Sequence, residues 1–190
     1  ERQRIRKSLK QQIINRLRVI RAKIWVYELP DYYVSFVKEY LELQNFIVKT
    51  EEKYKKRIGW ADIDIIAVKI ENNKITKLIV GEVKAERQTV NEIQEIDQEK
   101  FENEHVKKKL KGLFGSVEYE KCLYCWSWVP KGIETAKKLG ITPVSFNEIV
   151  DFMLKKVKEK KGWFYWNDYP NLMLLQFLTH KGYLKQNTQA

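Results

Sequence analysis

The amino-acid sequence predicts an α/β fold, a mixed β-sheet flanked by helices, on three observations. A largely apolar stretch from Ile63 to Val83, divided by Glu71-Asn72-Asn73-Lys74, reads as two β-strands and a tight turn. Helical periodicities precede and follow that hairpin. Toward the C-terminus, short apolar strands alternate with helices, so the predicted order is α-β-β-β-α-β-α-β-α.

Each element has its own justification. Over residues 2–26, Ile5, Leu9, Ile13, Leu17, Ile20 and Ile24 recur at helical spacing. Between them lie nine basic residues, Arg16, Arg18 and Arg21 included, against Glu1 as the one acid. Such a helix is either a solvated one packed by its Ile/Leu stripe, a basic arm on nucleic acid, or a pairing element of a dimer. Pro30 breaks the chain, and Asp31 can cap a helix running to about Leu43, with Val34, Val37, Tyr40 and Leu41 as its apolar face. Asn45 suits the helix stop, and Phe46-Ile47-Val48 begins a strand. Lys53 to Trp60 is a basic loop with aromatics. It is either plain surface or a source of phosphate contacts from Lys55, Lys56 and Arg57.

Beyond the hairpin, Thr89-Val90-Asn91-Glu92 fits a capping box opening a helix to about Leu110. Lys107, Lys108, Lys109 and Lys111 crowd the end of that helix, either because its dipole favours cations there or as contacts to DNA. A strand over residues 119–129 is closed by Pro130. A helix over 132–139, a strand over 141–144 and a helix over 147–158, capped by Ser145 or Asn147, complete the core. Trp163, Phe164, Tyr165 and Trp166 then form an aromatic run that either packs as core or interface or stacks on unpaired bases, before an apolar helix near 172–179. The chain thus divides into a basic N-terminal helix (1–28), an α/β core (29–160) and an aromatic and helical extension (161–190).

Composition narrows the class. The 190 residues are 44% hydrophobic and 13% aromatic, which excludes a disordered chain and suits one domain. The formal net charge of +11 calls for a polyanionic partner. Abundant Lys, Glu and Ile hint at a thermophilic source. Cys122 and Cys125 lie three apart in a predicted strand, hence on opposite faces. They read as buried thiols in a reducing compartment rather than as a zinc pair. No apolar run approaches the roughly 20 residues of a membrane span and no signal peptide is visible, so an intracellular protein is expected, with no membrane partner. The chain begins at Glu1 without a Met, so residues upstream are expected as well.

Four charges are set into the hairpin: Asp62, Asp64, Glu82 and Lys84. Buried charges are costly unless paired or metal-bound, and strand residues two apart share a face. The group is either a structural ion pair or a metal site, and three acids converging with one lysine favour the metal. The side-chain geometry imposes a condition. A regular two-residue turn would turn Glu82 and Lys84 away from Asp64, whereas a three-residue loop or a β-bulge would set Asp64 opposite Glu82 and Asp62 opposite Lys84.

Asp64-Ile65-Ile66-Ala67, followed after the turn by Gly81-Glu82-Val83-Lys84-Ala85, resembles the D…(D/E)xK signature of the PD-(D/E)XK nuclease superfamily. The pattern is most similar to archaeal Holliday-junction resolvases and related archaeal or archaeal-virus nucleases. The resemblance spans roughly residues 31–150, and Ile63 stands where the family often has proline. It implies a restriction-endonuclease-like core and metal-dependent hydrolysis of DNA, with a four-way junction or other branched DNA as one substrate class. RNA cleavage and non-catalytic nucleic-acid binding are the alternatives. It further implies Asp64, Glu82 and Lys84 as the catalytic residues, with Mg2+ (or Mn2+) held by Asp64, Glu82 and the Val83 carbonyl. Lys84 would orient or deprotonate the attacking water, or neutralise the phosphate. Asp62 is either a second metal ligand or a surface charge.

In the family the first core helix often adds a Glu. Val34 stands at that position here, leaving Asp31 and Glu39 as candidates. Gln98 is the candidate for the Gln that related nucleases place near the lysine. Because a duplex or junction needs cuts on two strands, a two-fold homodimer is expected. Deleting residues 1–26 should weaken nucleic-acid affinity and flatten its salt dependence, since fewer counterions are released; binding titrations across a salt series measure both.

Overall fold

The structure is a computed structural model that describes residues 32–55, 60–160, 162 and 169–180. Five strands form one sheet in the order β1-β2-β3-β4-β5: β1 (Ile47–Lys55), β2 (Trp60–Glu71), β3 (Lys74–Lys84), β4 (Glu120–Cys125) and β5 (Ile141–Ser145). The first three are antiparallel neighbours, whereas β3, β4 and β5 run parallel. Parallel neighbours need crossovers, and the intervening segments supply them. Between β3 and β4 stand α2 (Val90–Ile96), a π-helical turn (Asp97–Phe101) and α3 (Glu104–Phe114); between β4 and β5 stands α4 (Pro130–Lys138). A mixed sheet flanked by helices is therefore the architecture.

Two apolar layers cover the sheet. On one face α1 (Tyr32–Glu42), α5 (Phe146–Glu159) and α6 (Pro170–His180) bury Phe36, Val37, Ile149, Met153 and Leu172 against Ile65, Ala67, Ile79 and Val83. On the other, Ile93, Phe101, Val106, Leu110 and Ala136 pack on Ile66, Leu78, Val80 and Leu123. Alternation along β4 places Cys122 in the first layer and Cys125 in the second. Both are free and buried, and burial pushes their thiols up to about 11 and about 12, so neither is a ready thiolate.

Several boundaries differ from the sequence expectation for identifiable reasons. The basic stretch expected to be loop from Lys53 is strand as far as Lys55, because Tyr54 turns inward and donates its hydroxyl to the Glu99 carbonyl. The long helix expected from Thr89 to Leu110 opens with the capping box but widens into the π-turn, and Asn103 then caps α3 afresh. Strand β4 stops at Cys125, and Pro130 opens α4 at its first turn rather than closing a strand. Of the two candidate caps for α5, Ser145 is the one used, in a reciprocal bond with Glu148.

Glu39 has a different task from the one the family pattern suggested. It is 2% exposed, and its carboxylate accepts from the Asn171 backbone N–H (2.9 Å), the Asn171 amide (2.7 Å) and the Leu172 N–H (2.9 Å). The two backbone N–H groups are otherwise unsatisfied donors of the first turn of α6, so Glu39 caps that helix from α1 and is not available as an accessory site residue. Desolvation raises its pKa, against these three bonds. Glu39→Ala should strand the donors and lower the unfolding free energy by about 3 kcal/mol, read from urea titration.

Candidate metal centre

The site begins with the register of the hairpin. Asn72 and Asn73, at φ 51° and 61°, form a two-residue turn between Glu71 and Lys74. Uncorrected, that turn would separate the acids. However, the register shifts between Lys69 and Ile70: Ile70 pairs with Ile75, Lys69 pairs with Lys77, and Thr76 is the extra residue. The Thr76 hydroxyl donates to the Lys69 carbonyl at 3.3 Å across the irregularity. From there the rungs continue to Ile65↔Gly81, so the next position sets Asp64 beside Glu82. The geometric condition is met by a bulge.

Pairing between β2 and β3 ends at that point, and a side chain continues what the backbone stops. Asp64 Oδ2 accepts the Val83 N–H at 2.8 Å. The ladder does not extend far enough to put Asp62 opposite Lys84. Asp62 instead engages Lys100 of the π-turn, whose ammonium donates to the Asp62 carbonyl at 2.9 Å and lies 3.4 Å from Asp62 Oδ1. Glu82 is 2% exposed, and its Oε1 receives Lys84 at 2.7 Å and Lys100 at 3.4 Å. Glu82 and Lys84 alternate with Val83 and so lie on the side of the sheet that carries the π-turn.

Electrostatics follow from this crowding. Burial, and next the charge of Glu82, push the Asp64 carboxyl up to about 7, against the Val83 N–H and the two lysines. Burial disfavours the charge on Lys100, but Glu82, Asp64 and Asp62 outweigh it and hold that ammonium above its usual range.

The remaining candidates are distributed as follows. Gln98 lies on the π-turn but is exposed, and Lys100, two residues on, is the side chain that enters the site. The sequence gives no direct signal for Lys100, because the widened turn that aims it has no clear signature. Lys107 and Lys109, of the basic cluster, are engaged by Glu102 and Glu52 at 2.7 Å each. Asp31, Arg16, Arg18, Arg21, Lys56, Arg57 and the aromatics 163–166 lie outside the described residues, as does the side chain of Lys55.

Among the described residues no group of three or more His, Cys, Asp or Glu forms a metal cluster, and none of the helices is long and apolar enough to cross a membrane. The donors that do converge, two carboxylates whose mutual repulsion a cation would relieve, suit Mg2+, which commonly takes one or two protein carboxylates and fills its shell with water and phosphate oxygens.

No family model and no curated protein matches the chain. Among solved structures it is similar to protein VC1899 from Vibrio cholerae, with a TM-score of 0.40 and 17% identity over 63% of this chain. The match covers 30% of that protein's length.

Asp64 makes stability depend on pH in a definite direction. Its folded pKa lies above the unfolded one, so the native state holds the extra proton between them, and stability falls as pH rises from about 4 to about 7. Without metal, Asp64→Asn, which keeps an acceptor for Val83, should gain roughly 2–4 kcal/mol over the wild type at pH 8 and little at pH 4, by denaturant titration.

Proposed function

We propose that this chain is a metal-dependent nuclease, hydrolysing phosphodiester bonds of DNA on a restriction-endonuclease-like core. The observation that carries the proposal is the bulge at Thr76, which brings Asp64, Glu82 and Lys84 together at the end of an otherwise apolar sheet. A purely structural hairpin has no need to shift its register and set a half-buried acid, Asp64, beside a buried one, Glu82. The net charge of +11 supports a polyanionic substrate.

Asp64 and Glu82, with the Val83 carbonyl, would hold the cation. When bound, Mg2+ would supply charge stabilisation at the phosphoryl oxygens. The chain's own contribution is positional. The Val83 N–H fixes the Asp64 carboxylate, leaving its second oxygen for the cation. Lys84, whose side chain is 36% exposed and reaches Glu82, is the group able to orient the attacking water or to meet the charge growing on the phosphate. Asp62, held by Lys100 through both its carbonyl and its carboxylate, shapes the mouth of the site. Cutting both strands of a duplex or junction would take two such sites, which a two-fold homodimer provides.

The test is cleavage of labelled junctions, duplexes and single strands with Mg2+ or Mn2+. Asp64→Ala, Glu82→Ala and Lys84→Ala should each lower the rate by at least about a hundredfold and leave nucleic-acid binding near wild type, because the three act as a unit. Wild-type cleavage by Glu82→Ala would remove the nuclease assignment. Binding without cleavage in every condition would leave a nucleic-acid-binding module.

A further inference from the structure

Lys100 belongs to neither arm of the hairpin. It arrives from the π-turn between α2 and α3, a local widening of the kind often found at functional sites. Its side chain is 18% exposed, and its ammonium is anchored on the Asp62 carbonyl. That anchor alone would pin the π-turn to β2. The ammonium nevertheless also lies 3.4 Å from Glu82 Oε1, an oxygen on which Lys84 already rests at 2.7 Å. One carboxylate oxygen, in a residue 2% exposed, therefore faces two lysines from two different elements. Three acids, Asp62, Asp64 and Glu82, stand against two ammonium groups, so the site holds little net negative charge with which to draw a dication.

We propose that Lys100 is the internal counter-cation of this carboxylate pair: it neutralises Glu82 in the metal-free protein and competes with the metal for it. Tight metal binding would then depend on the added negative charge of a phosphodiester, so that metal and nucleic acid load together. The inference rests on the metal-site reading above and assigns to Lys100 the control of that site's affinity. A role confined to packing predicts the opposite effect of mutation, since loosening the π-turn would spread the ligands and weaken metal binding.

The probe is Mn2+ alone, titrated by calorimetry into the full chain without nucleic acid. Lys100→Met should bind Mn2+ at least about tenfold more tightly than the wild type, the effect expected of removing one unit charge a few ångströms from the ion. Lys100→Gln keeps a donor for the Asp62 carbonyl while removing the charge. It should show the same gain, and it serves if Lys100→Met does not fold. Lys100→Arg, which keeps the charge, should stay close to the wild type. Unchanged or weaker Mn2+ affinity in Lys100→Gln overturns the proposal. Tightening in a protein that cleaves nothing would keep the counter-cation and remove the nuclease, whereas cleavage by the wild type with no tightening would do the reverse. Absence of Mn2+ binding by all of these proteins, Lys100→Gln included, overturns the counter-cation, and the cleavage assay then decides the nuclease separately.

Discussion

The buried charge of Glu82 is the constraint around which this half of the molecule is arranged. A carboxylate 2% exposed between apolar strands must be balanced, and one partner is local while the other comes from a distance. Lys84 follows it on the same strand face, and Lys100 crosses from the helical layer above the sheet. Meeting that need fixes the approach of the π-turn to β2, since the same ammonium also takes the Asp62 carbonyl. The second acid, Asp64, is tied to β3 through the Val83 N–H and raised by its neighbour's charge. Two acids forced together and two cations holding them form an arrangement that is expensive as a stabilising device, which is the ground for proposing a metal there.

Two irregularities make that arrangement compatible with an ordered sheet. The bulge at Thr76 changes which side of β3 faces the layer of α2, α3 and α4, and it does so far from the site, near the turn. The π-turn changes the direction in which one helical residue points. Along β4 the alternation is regular, so that Cys122 and Cys125 fall into opposite layers. Glu39 is a second buried carboxylate with the opposite solution: it spends its lone pairs on three N–H donors of α6 and meets no lysine at all among the bonds it makes. Comparing the two acids separates a structural carboxylate from a candidate ligand better than burial alone does.

Much of this was legible in the sequence because local chemistry decided it. The hairpin, the Asn-Asn turn, the Thr89 cap and the opposed cysteines each follow from residues adjacent in the chain, where propensity, turn geometry and period two act without outside help. The convergence of Asp64, Glu82 and Lys84 was readable as a condition: the acids could share a site only if the hairpin slipped by one residue. What the sequence could not choose was how. An odd loop and a bulge meet the condition equally well on paper, and the two-residue turn preferred by Asn72-Asn73 leaves the correction to Thr76.

Tertiary structure alone decided the rest, because the partners are distant in sequence and no periodicity links them. Lys100 enters the site only because a helix widens by one residue at Asp97–Phe101, and Gln98, the expected contributor from that stretch, is left in solvent by the same geometry. Glu39 caps α6 because α1 and α6 pack on the same side of the sheet, a pairing set by burial of Leu172 and Leu175 among the helices rather than by any local motif. The sequence by itself determined an α/β sheet with acids in its central hairpin; which charges meet those acids was fixed by packing, where each buried carboxylate takes the nearest donor the fold brings to it.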